Sequence, residues 1–273
     1  MYFVIVLFYT PLPNIVPMAI TINIELTDHC NIKCTMCSQS MRTEAHGVPK
    51  KFMRWEDWKK ALHHLEKYSE EVHLCPHWLG EPTIHPQFDL FIEYAFASNA
   101  NNRLFSKFKL HTNAVQFSKE RSTLLLNLAQ NTSMSPETFH FVHFSVDAFS
   151  AETYKTVKGA EQRDRVFANI AEFITQRERR GLLYPKITIA FVVQPENAHE
   201  AKPFYEYWTK KFSEHKKNLQ VYYDWPSDIV DCLYFRRLNC ADQHRADSLH
   251  KEVLLQLGFI DSIDTNIRGN NSF

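Results

Sequence analysis

Residues 20–37 read ITINIELTDHCNIKCTMC and pass from an alternating apolar pattern into a cluster of cysteines. Apolar and polar residues alternate over residues 20–26, and this period of two predicts a β-strand. The loop that follows carries Cys30, Cys34 and Cys37 within eight residues. Three thiolates on one loop can converge on one metal centre. This stretch therefore predicts a metal site directly after a strand.

Strand-like and helix-like patterns alternate along the rest of the chain. Six consecutive β-α units predict a parallel sheet with helices outside it. Six units are too few for a closed eight-stranded barrel. The predicted fold is therefore α/β, a partial (β/α)6 open TIM-like barrel with parallel strands and outer helices. The strands after the first are predicted at residues 71–75, 106–112, 139–146, 186–194 and 218–223.

We expect three parts in the chain: an apolar N-terminal extension over residues 1–19, the barrel over residues 20–225, and a short C-terminal extension over residues 226–273. The apolar run near the N-terminus is far shorter than the ~20 residues of a membrane span. It also lacks the basic region of a signal peptide. The true start is either Met1 or Met18, and a cytoplasmic location is expected.

Composition narrows the function classes. The 31 basic and 31 acidic residues balance, which gives no basic surface for nucleic acid. The six Cys do not resemble a disulfide framework, which a chain of 273 residues does not need. The 14 His are scattered rather than grouped at metal-ligand spacing. A structural zinc site needs four protein ligands, and here the fourth could be His29 or a distant Cys.

The spacing of Cys30, Cys34 and Cys37, opened by the residues ELTDHCN at 25–31, resembles the signature of the radical SAM superfamily. The resemblance implies that the three Cys hold a [4Fe–4S] cluster and that S-adenosylmethionine (SAM) binds the remaining iron. It implies reductive cleavage of SAM to a 5′-deoxyadenosyl radical, which abstracts hydrogen from a substrate. Met36 would then lie near the adenine.

Four further motifs follow predicted strands in the order of that family. Gly80-Glu81-Pro82 resembles its GEP motif, which holds the methionine amino group, and Asn113 lies in a TNA sequence that resembles TNG. The sequence SVDA at 145–148 resembles the stretch after the fourth strand in that family, where Ser145 and Asp147 would lie near the ribose and methionine of SAM. Lys158 follows it and stands where an Arg commonly pairs with the methionine carboxylate, and the sequence QPEN at 194–197 completes the set. The residues expected to bind the cofactor are Met36, Gly80, Glu81, Asn113, Ser145, Asp147, Lys158 and Val193.

The later motifs resemble the SPASM/twitch-like subgroup, although the C-terminal tail is short and poor in Cys. Only Cys232 and Cys240 follow the barrel, too few for a Cys-only auxiliary cluster, which needs four. Cys75 ends a strand and is a candidate hydrogen donor, although a buried inert thiol is the commoner state. The resemblance implies a flavodoxin- or ferredoxin-like electron donor and favours a peptide or protein substrate, with no nucleic-acid or membrane partner.

Two other functions stay open at this point. One is a zinc-stabilised binding module, which a structural zinc at the three Cys would produce. The other is a degenerate barrel that keeps the fold and acts as a recognition scaffold.

Overall fold

The computed structural model describes residues 19–38, 40, 51–68, 71–131 and 133–261. The predicted N-terminal extension, except for residue 19, lies outside the described residues. The described residues contain seven strands in one parallel sheet: β1 Ala19–Asn23, β2 Glu71–Cys75, β3 Lys107–Thr112, β4 Phe139–Ser145, β5 Lys186–Val193, β6 Gln220–Tyr222 and β7 Cys232–Arg237. The predicted α/β architecture is confirmed.

The helices lie between these strands and after the last one. The first five strands are neighbours in chain order. Right-handed crossovers between such strands place their helices on one face, here called the outer face. The helices are α1 Trp55–Leu65, α2 Phe88–Asn102, α3 Lys119–Ala129, α4 Ala151–Lys158, α5 Arg163–Arg179, α6 Ala201–Ser213 and α7 Gln243–Gln256.

The outer face is the main apolar core. Ile187, Ile189 and Phe191 alternate along β5 and are fully buried. Phe191 packs against Phe204 of α6, with ring centroids 4.8 Å apart. Side chains of the opposite parity point to the other face of the sheet, here called the inner face. That face carries polar groups, which is typical of a barrel interior that serves a site.

The strand order departs from a simple series at the C-terminal end. β7 lies between β5 and β6, so β6 is an edge strand. The predicted boundary at residue 225 therefore divides a continuous sheet, because β7 belongs to it. Arg177 of α5 holds this arrangement. Its guanidinium binds both carboxylate oxygens of Asp231 at 2.6 Å, and Asp231 accepts a hydrogen bond from the Ile187 N–H at 2.8 Å.

The loop between β6 and β7 crosses the inner face. Its Asp228 lies 3.8 Å from the Lys109 ammonium of β3, three strands away from β7 in the sheet. The inner face is therefore partly covered by its own chain. None of the helices in the described ranges is long and apolar enough to cross a membrane.

Candidate cofactor site

The cysteine loop follows β1 at the carboxyl end of the sheet. Cys30, Cys34 and Cys37 are free and partly accessible. Burial raises the pKa of Cys30 to about 11 and also raises the pKa of Cys34. The Cys34 thiol is near enough to the other two for their charges to interact. Thiols in this state release protons when a metal binds them, so loading the site couples to pH.

Helix α4 anchors the middle of this loop. Its last carbonyls, which have no partner within a helix, accept hydrogen bonds from the loop: the Lys33 N–H binds the Lys158 carbonyl at 3.1 Å, and the Thr35 N–H binds that of Val157 at 2.9 Å. Gly159 ends the helix with φ at 64°. A Cβ there would lie 2.5 Å from the Lys33 carbonyl oxygen, so this position needs glycine for space as well as for conformation.

The Gly-Glu-Pro segment packs directly under the start of the loop. A Cβ at Gly80 would lie 1.9 Å from the Thr27 carbonyl oxygen and 2.7 Å from that of His29. The Glu81 N–H donates to the His29 carbonyl at 2.7 Å. Glu25, the first residue of the ELTDHCN stretch, accepts hydrogen bonds from the Leu79 and Gly80 N–H groups at 2.7 and 2.8 Å.

The Glu81 carboxylate is directed into the protein. It accepts hydrogen bonds from the Thr83 N–H and hydroxyl, from the Thr112 hydroxyl at 2.7 Å, and from the Asn113 N–H at 2.6 Å. Burial raises its pKa, and these donors oppose the rise. With four donors around it, this carboxylate holds the ends of β2 and β3 together, and the expected contact with the methionine amino group stays a prediction.

Asn113 connects the end of β3 to the cysteine loop. Its amide Nδ2 donates to Asn31 Oδ1 at 2.8 Å and lies 3.7 Å from Cys30 Sγ. Asn113 is only 5% exposed. A charge-free donor in this position supports a thiolate at Cys30 and fixes one side of the loop.

Asp147 and Lys158 form an ion pair in the interior next to Cys34. Lys158 Nζ lies 2.5 Å from Asp147 Oδ2 and 3.0 Å from the Ser145 carbonyl, and both pair members are about 2% exposed. Burial disfavours the Lys158 ammonium, but Asp147 and Cys34 outweigh burial, and its pKa is raised. The second Asp147 oxygen accepts from the Val192 N–H at 2.9 Å. Asp147 and Lys158, two of the eight residues expected to bind SAM, thus bind each other.

The other residues expected to bind the cofactor lie in the cysteine loop, at the end of a strand and in the apolar core. Met36 is half-buried in the turn between Cys34 and Cys37, and Ser145 is half-buried at the end of β4. Val193 is fully buried in the outer-face core, and its expected contact with the adenine stays a prediction. Its neighbour Val192 has the opposite parity and is partly accessible.

The candidate fourth ligands are engaged elsewhere. The His29 ring stacks on Phe52 with centroids 4.4 Å apart. Cys75 is 3% exposed, with Sγ directed at the His77 carbonyl, and burial raises its pKa to about 12. Cys232 Sγ lies 3.5 Å from the Thr188 hydroxyl, and Cys240 is exposed on the surface.

The donor set fits an iron–sulfur cluster better than a single ion. Within the ranges that the structure describes, no three His, Cys, Asp or Glu lie close enough together to hold one metal ion. A structural zinc needs four ligands around one point. A cubic cluster instead takes its thiolates at separate irons, so three thiols spread over one loop suit it.

Tyr154 of α4 is a second indication that this site holds a bound group. Its hydroxyl is buried and has no hydrogen-bond partner in the described part of the chain. It lies near enough to Lys158 and Cys34 for their charges to act on it, while burial raises its pKa to about 12. Such an orphaned donor beside the cysteine loop matches a site that completes its hydrogen bonds with a bound group.

Comparison with known families decides the class. The family model of the radical SAM superfamily matches residues 24–206. The chain belongs to the radical SAM superfamily. The predicted family and its cofactors, a [4Fe–4S] cluster and SAM, are therefore confirmed.

Two relatives share the radical SAM region at modest identity. A tungsten-containing aldehyde ferredoxin oxidoreductase cofactor-modifying protein of Pyrococcus furiosus is 26% identical over 180 residues, covering 64% of this chain and 44% of that protein. The antilisterial bacteriocin subtilosin biosynthesis protein AlbA of Bacillus subtilis is 26% identical over 187 residues, covering 68% and 36%. This chain spans less than half the length of either relative.

Solved structures show the same radical SAM fold. The chain resembles native anSMEcpe with bound AdoMet, with a TM-score of 0.56 and 15% identity, covering 88% of this chain and 59% of that one. It also resembles Streptococcus suis SuiB, with a TM-score of 0.51 and 15% identity, covering 87% and 47%.

Proposed function

We propose that the chain cleaves SAM reductively at a [4Fe–4S] cluster and uses the product radical to take hydrogen from a substrate. The observation that carries this proposal is the loop of three free cysteines, fastened to β2, β3 and α4, with the other Cys and His29 engaged elsewhere. When bound, the cluster supplies the electron that breaks the sulfonium and yields the 5′-deoxyadenosyl radical.

The roles of the protein groups follow from their positions. Cys30, Cys34 and Cys37 would hold three irons as thiolates. Asn113 would donate a hydrogen bond toward the Cys30 sulfur, and Lys158 would place a positive charge beside Cys34. Positive charge and donors near a thiolate favour its anionic form, so these two residues oppose the effect of burial and would favour loss of the thiol protons when the cluster binds.

The proposed substrate is a peptide or protein. Support comes from the Bacillus subtilis relative, which is a bacteriocin biosynthesis protein. The proposal further includes a flavodoxin- or ferredoxin-like one-electron donor and a cytoplasmic location. A purified chain assayed with reduced flavodoxin and with a chemical reductant tests the donor directly.

Anaerobic reconstitution tests the proposed chemistry. We expect the chain to take up four irons and four sulfides, as the cluster stoichiometry requires, and to form 5′-deoxyadenosine from SAM when reduced. Cys34→Ala should abolish both results. Cys240→Ser is the matched control, because that thiol is exposed and distant from the loop in sequence. A colourless chain that holds one zinc would contradict the proposal and support the binding module.

A further inference from the structure

The inner face carries a row of three histidine rings that the cofactor site does not use. His77 follows β2, His111 lies in β3 and His143 lies in β4. The rings of His77 and His111 stack with centroids 5.3 Å apart, and those of His111 and His143 stack at 4.7 Å. Tyr234 of β7 continues the row, 6.4 Å from the His143 ring. Residues remote in sequence thus form one wall across the sheet.

The wall is not arranged as a metal site. The imidazole planes lie within 11° and 22° of parallel. The lone pair of an imidazole nitrogen lies in the ring plane, so parallel rings direct their lone pairs side by side rather than at one point. The wall instead presents a series of ring edges.

The ring nitrogens of the wall have no partner among the described residues. In the part of the chain that the structure describes, no hydrogen bond joins the side chains of His77, His111 or His143 to another group, and His143 Nδ1 is a buried orphan. Burial lowers the pKa of His77 to about 4 and of His143 to about 3, and it lowers that of His111 as well. At neutral pH each ring is uncharged and offers one donor and one acceptor.

Arg236 adds a positive charge to the same face. It has the parity of Tyr234 on β7, and its charge acts on both His111 and His143. Its neighbour Arg237 has the opposite parity and pairs with Asp247 at 2.5 Å. Among the described residues Arg236 has no ion pair. The Asp147 carboxylate on this side is already paired with Lys158.

The wall lies close to the cofactor site. Asn113, whose amide reaches toward Cys30, follows His111 by two residues. Ser145, whose carbonyl binds Lys158, follows His143 by two. Two residues advance a strand by about 7 Å and return to the same face. His111 and His143 therefore lie about 7 Å along their strands from Asn113 and Ser145, on the side away from the cysteine loop.

We propose that His77, His111, His143 and Arg236 form the substrate-binding wall, and that it takes a substrate group bearing a carboxylate. Arg236 binds the carboxylate through its planar pair of donors. The imidazole edges hydrogen-bond the neutral polar atoms next to that carboxylate. The name "substrate" rests on the proposed function, whereas the binding chemistry rests on the wall alone.

Two small probes of matched shape test the carboxylate. N-acetylglutamate α-amide carries a side-chain carboxylate, and N-acetylglutamine α-amide replaces it with a neutral amide. Each is titrated into the full chain by calorimetry, with and without the reconstituted cluster and SAM. Histidine-labelled NMR spectra are recorded in parallel. We expect the carboxylate probe to bind roughly tenfold or more tightly, since an Arg–carboxylate bond is charge-assisted, and to shift the signals of the three wall histidines.

Single substitutions test which residues of the wall cause the preference for the carboxylate probe. Arg236→Gln should remove the preference for the carboxylate, while Arg237→Gln, on the opposite face of the same strand, should keep it. His111→Phe keeps a stacked ring without nitrogens and should weaken both probes equally. Equal binding of the two probes, a preference that survives Arg236→Gln, or unchanged binding by His111→Phe would overturn the proposal.

The two proposals fail separately. A reconstituted chain that forms 5′-deoxyadenosine but does not distinguish the probes refutes only the carboxylate assignment. A chain that distinguishes the probes but never cleaves SAM refutes the proposed function and leaves the wall in place.

Discussion

Substituting Gly80 with Ala should disable the cysteine loop through a backbone clash. The new Cβ would lie 1.9 Å from the Thr27 carbonyl oxygen, where real contacts begin near 3.0 Å. The atoms that the new Cβ would meet belong to the backbone and cannot rotate away as a side chain would. Residues 27–29 would therefore have to move about 1 Å away from residue 80. Overpacking of this kind costs about 3 kcal/mol, the upper part of its usual range. Because the Glu81 N–H binds the His29 carbonyl, the displacement would reach Cys30.

Two other glycines separate the clash from conformational strain. Gly181 has φ at 65° and no atom within 4 Å of an added Cβ in the described residues, so Gly181→Ala adds only left-handed strain, about 1–2 kcal/mol. Gly159→Ala adds both the strain and a contact of 2.5 Å with the Lys33 carbonyl oxygen. We therefore expect Gly80→Ala and Gly159→Ala to lose iron binding, while Gly181→Ala keeps it.

The assay pairs two measurements on each variant. Urea unfolding of the apo chain gives the free energy of unfolding, and anaerobic reconstitution gives iron and sulfide per chain. The reasoning fails if Gly80→Ala loads iron as the unsubstituted chain does, or if Gly181→Ala loses as much iron as Gly80→Ala.

Three further outcomes are expected. Asp231→Asn removes the carboxylate that Arg177 binds, but Glu178 still pairs with that guanidinium at 2.6 Å. The substitution should therefore cost ~1.5–3 kcal/mol of unfolding free energy, while the folded fraction still loads iron. Loss of iron loading without loss of stability would contradict this expectation. Lys158→Met leaves the Asp147 carboxylate buried without its cation and should lower the free energy of unfolding by ~3–5 kcal/mol. Adding Asp147→Asn to this variant should restore much of that free energy in urea unfolding. Glu161→Gln, which removes the exposed pair with Lys155, should change nothing measurable. Burial lowers the pKa of His143 to about 3, so between pH 6.5 and pH 3 the unfolded chain binds a proton at this residue that the folded chain does not. Stability should therefore fall as the pH is lowered through this range, by up to ~1.4 kcal/mol per pH unit from this residue. His143→Gln should make that loss smaller, and an unchanged pH dependence would refute the assignment.

Local patterns in the sequence were sufficient for most of the fold. The strand predicted over residues 186–194 is β5, at Lys186–Val193, and the strand predicted over residues 71–75 is β2, at Glu71–Cys75. The position of β7 could not be read in the same way. It depends on the ion pair between Arg177 and Asp231, which joins residues 54 positions apart. Each of these residues looks like an ordinary surface charge in the sequence.

The site shows the same division. Short-range spacing identified the three Cys and the Gly-Glu-Pro segment, because those ligands and contacts lie within one loop each. The histidine wall was missed, and the 14 His looked scattered, because His111 and His143 come from two different strands and His77 follows a third. The available signal was their parity: each takes an inner-face position near a strand end.

The motif residues around the cysteine loop act mainly on its shape. Glu25 binds two N–H groups of the Gly-Glu-Pro segment, Glu81 binds four donors of β3 and its own turn, and Gly159 makes room for Lys33. None of these three contacts requires a bound cofactor. A carboxylate with four protein donors has little capacity left for a ligand amine. Amide substitution tests this directly: Glu81→Gln should destabilise the apo chain before any SAM is added, because it replaces an acceptor oxygen with a donor among four donors. If Glu81→Gln leaves apo stability unchanged and weakens only SAM binding, the carboxylate serves the ligand and the structural role assigned to it is wrong.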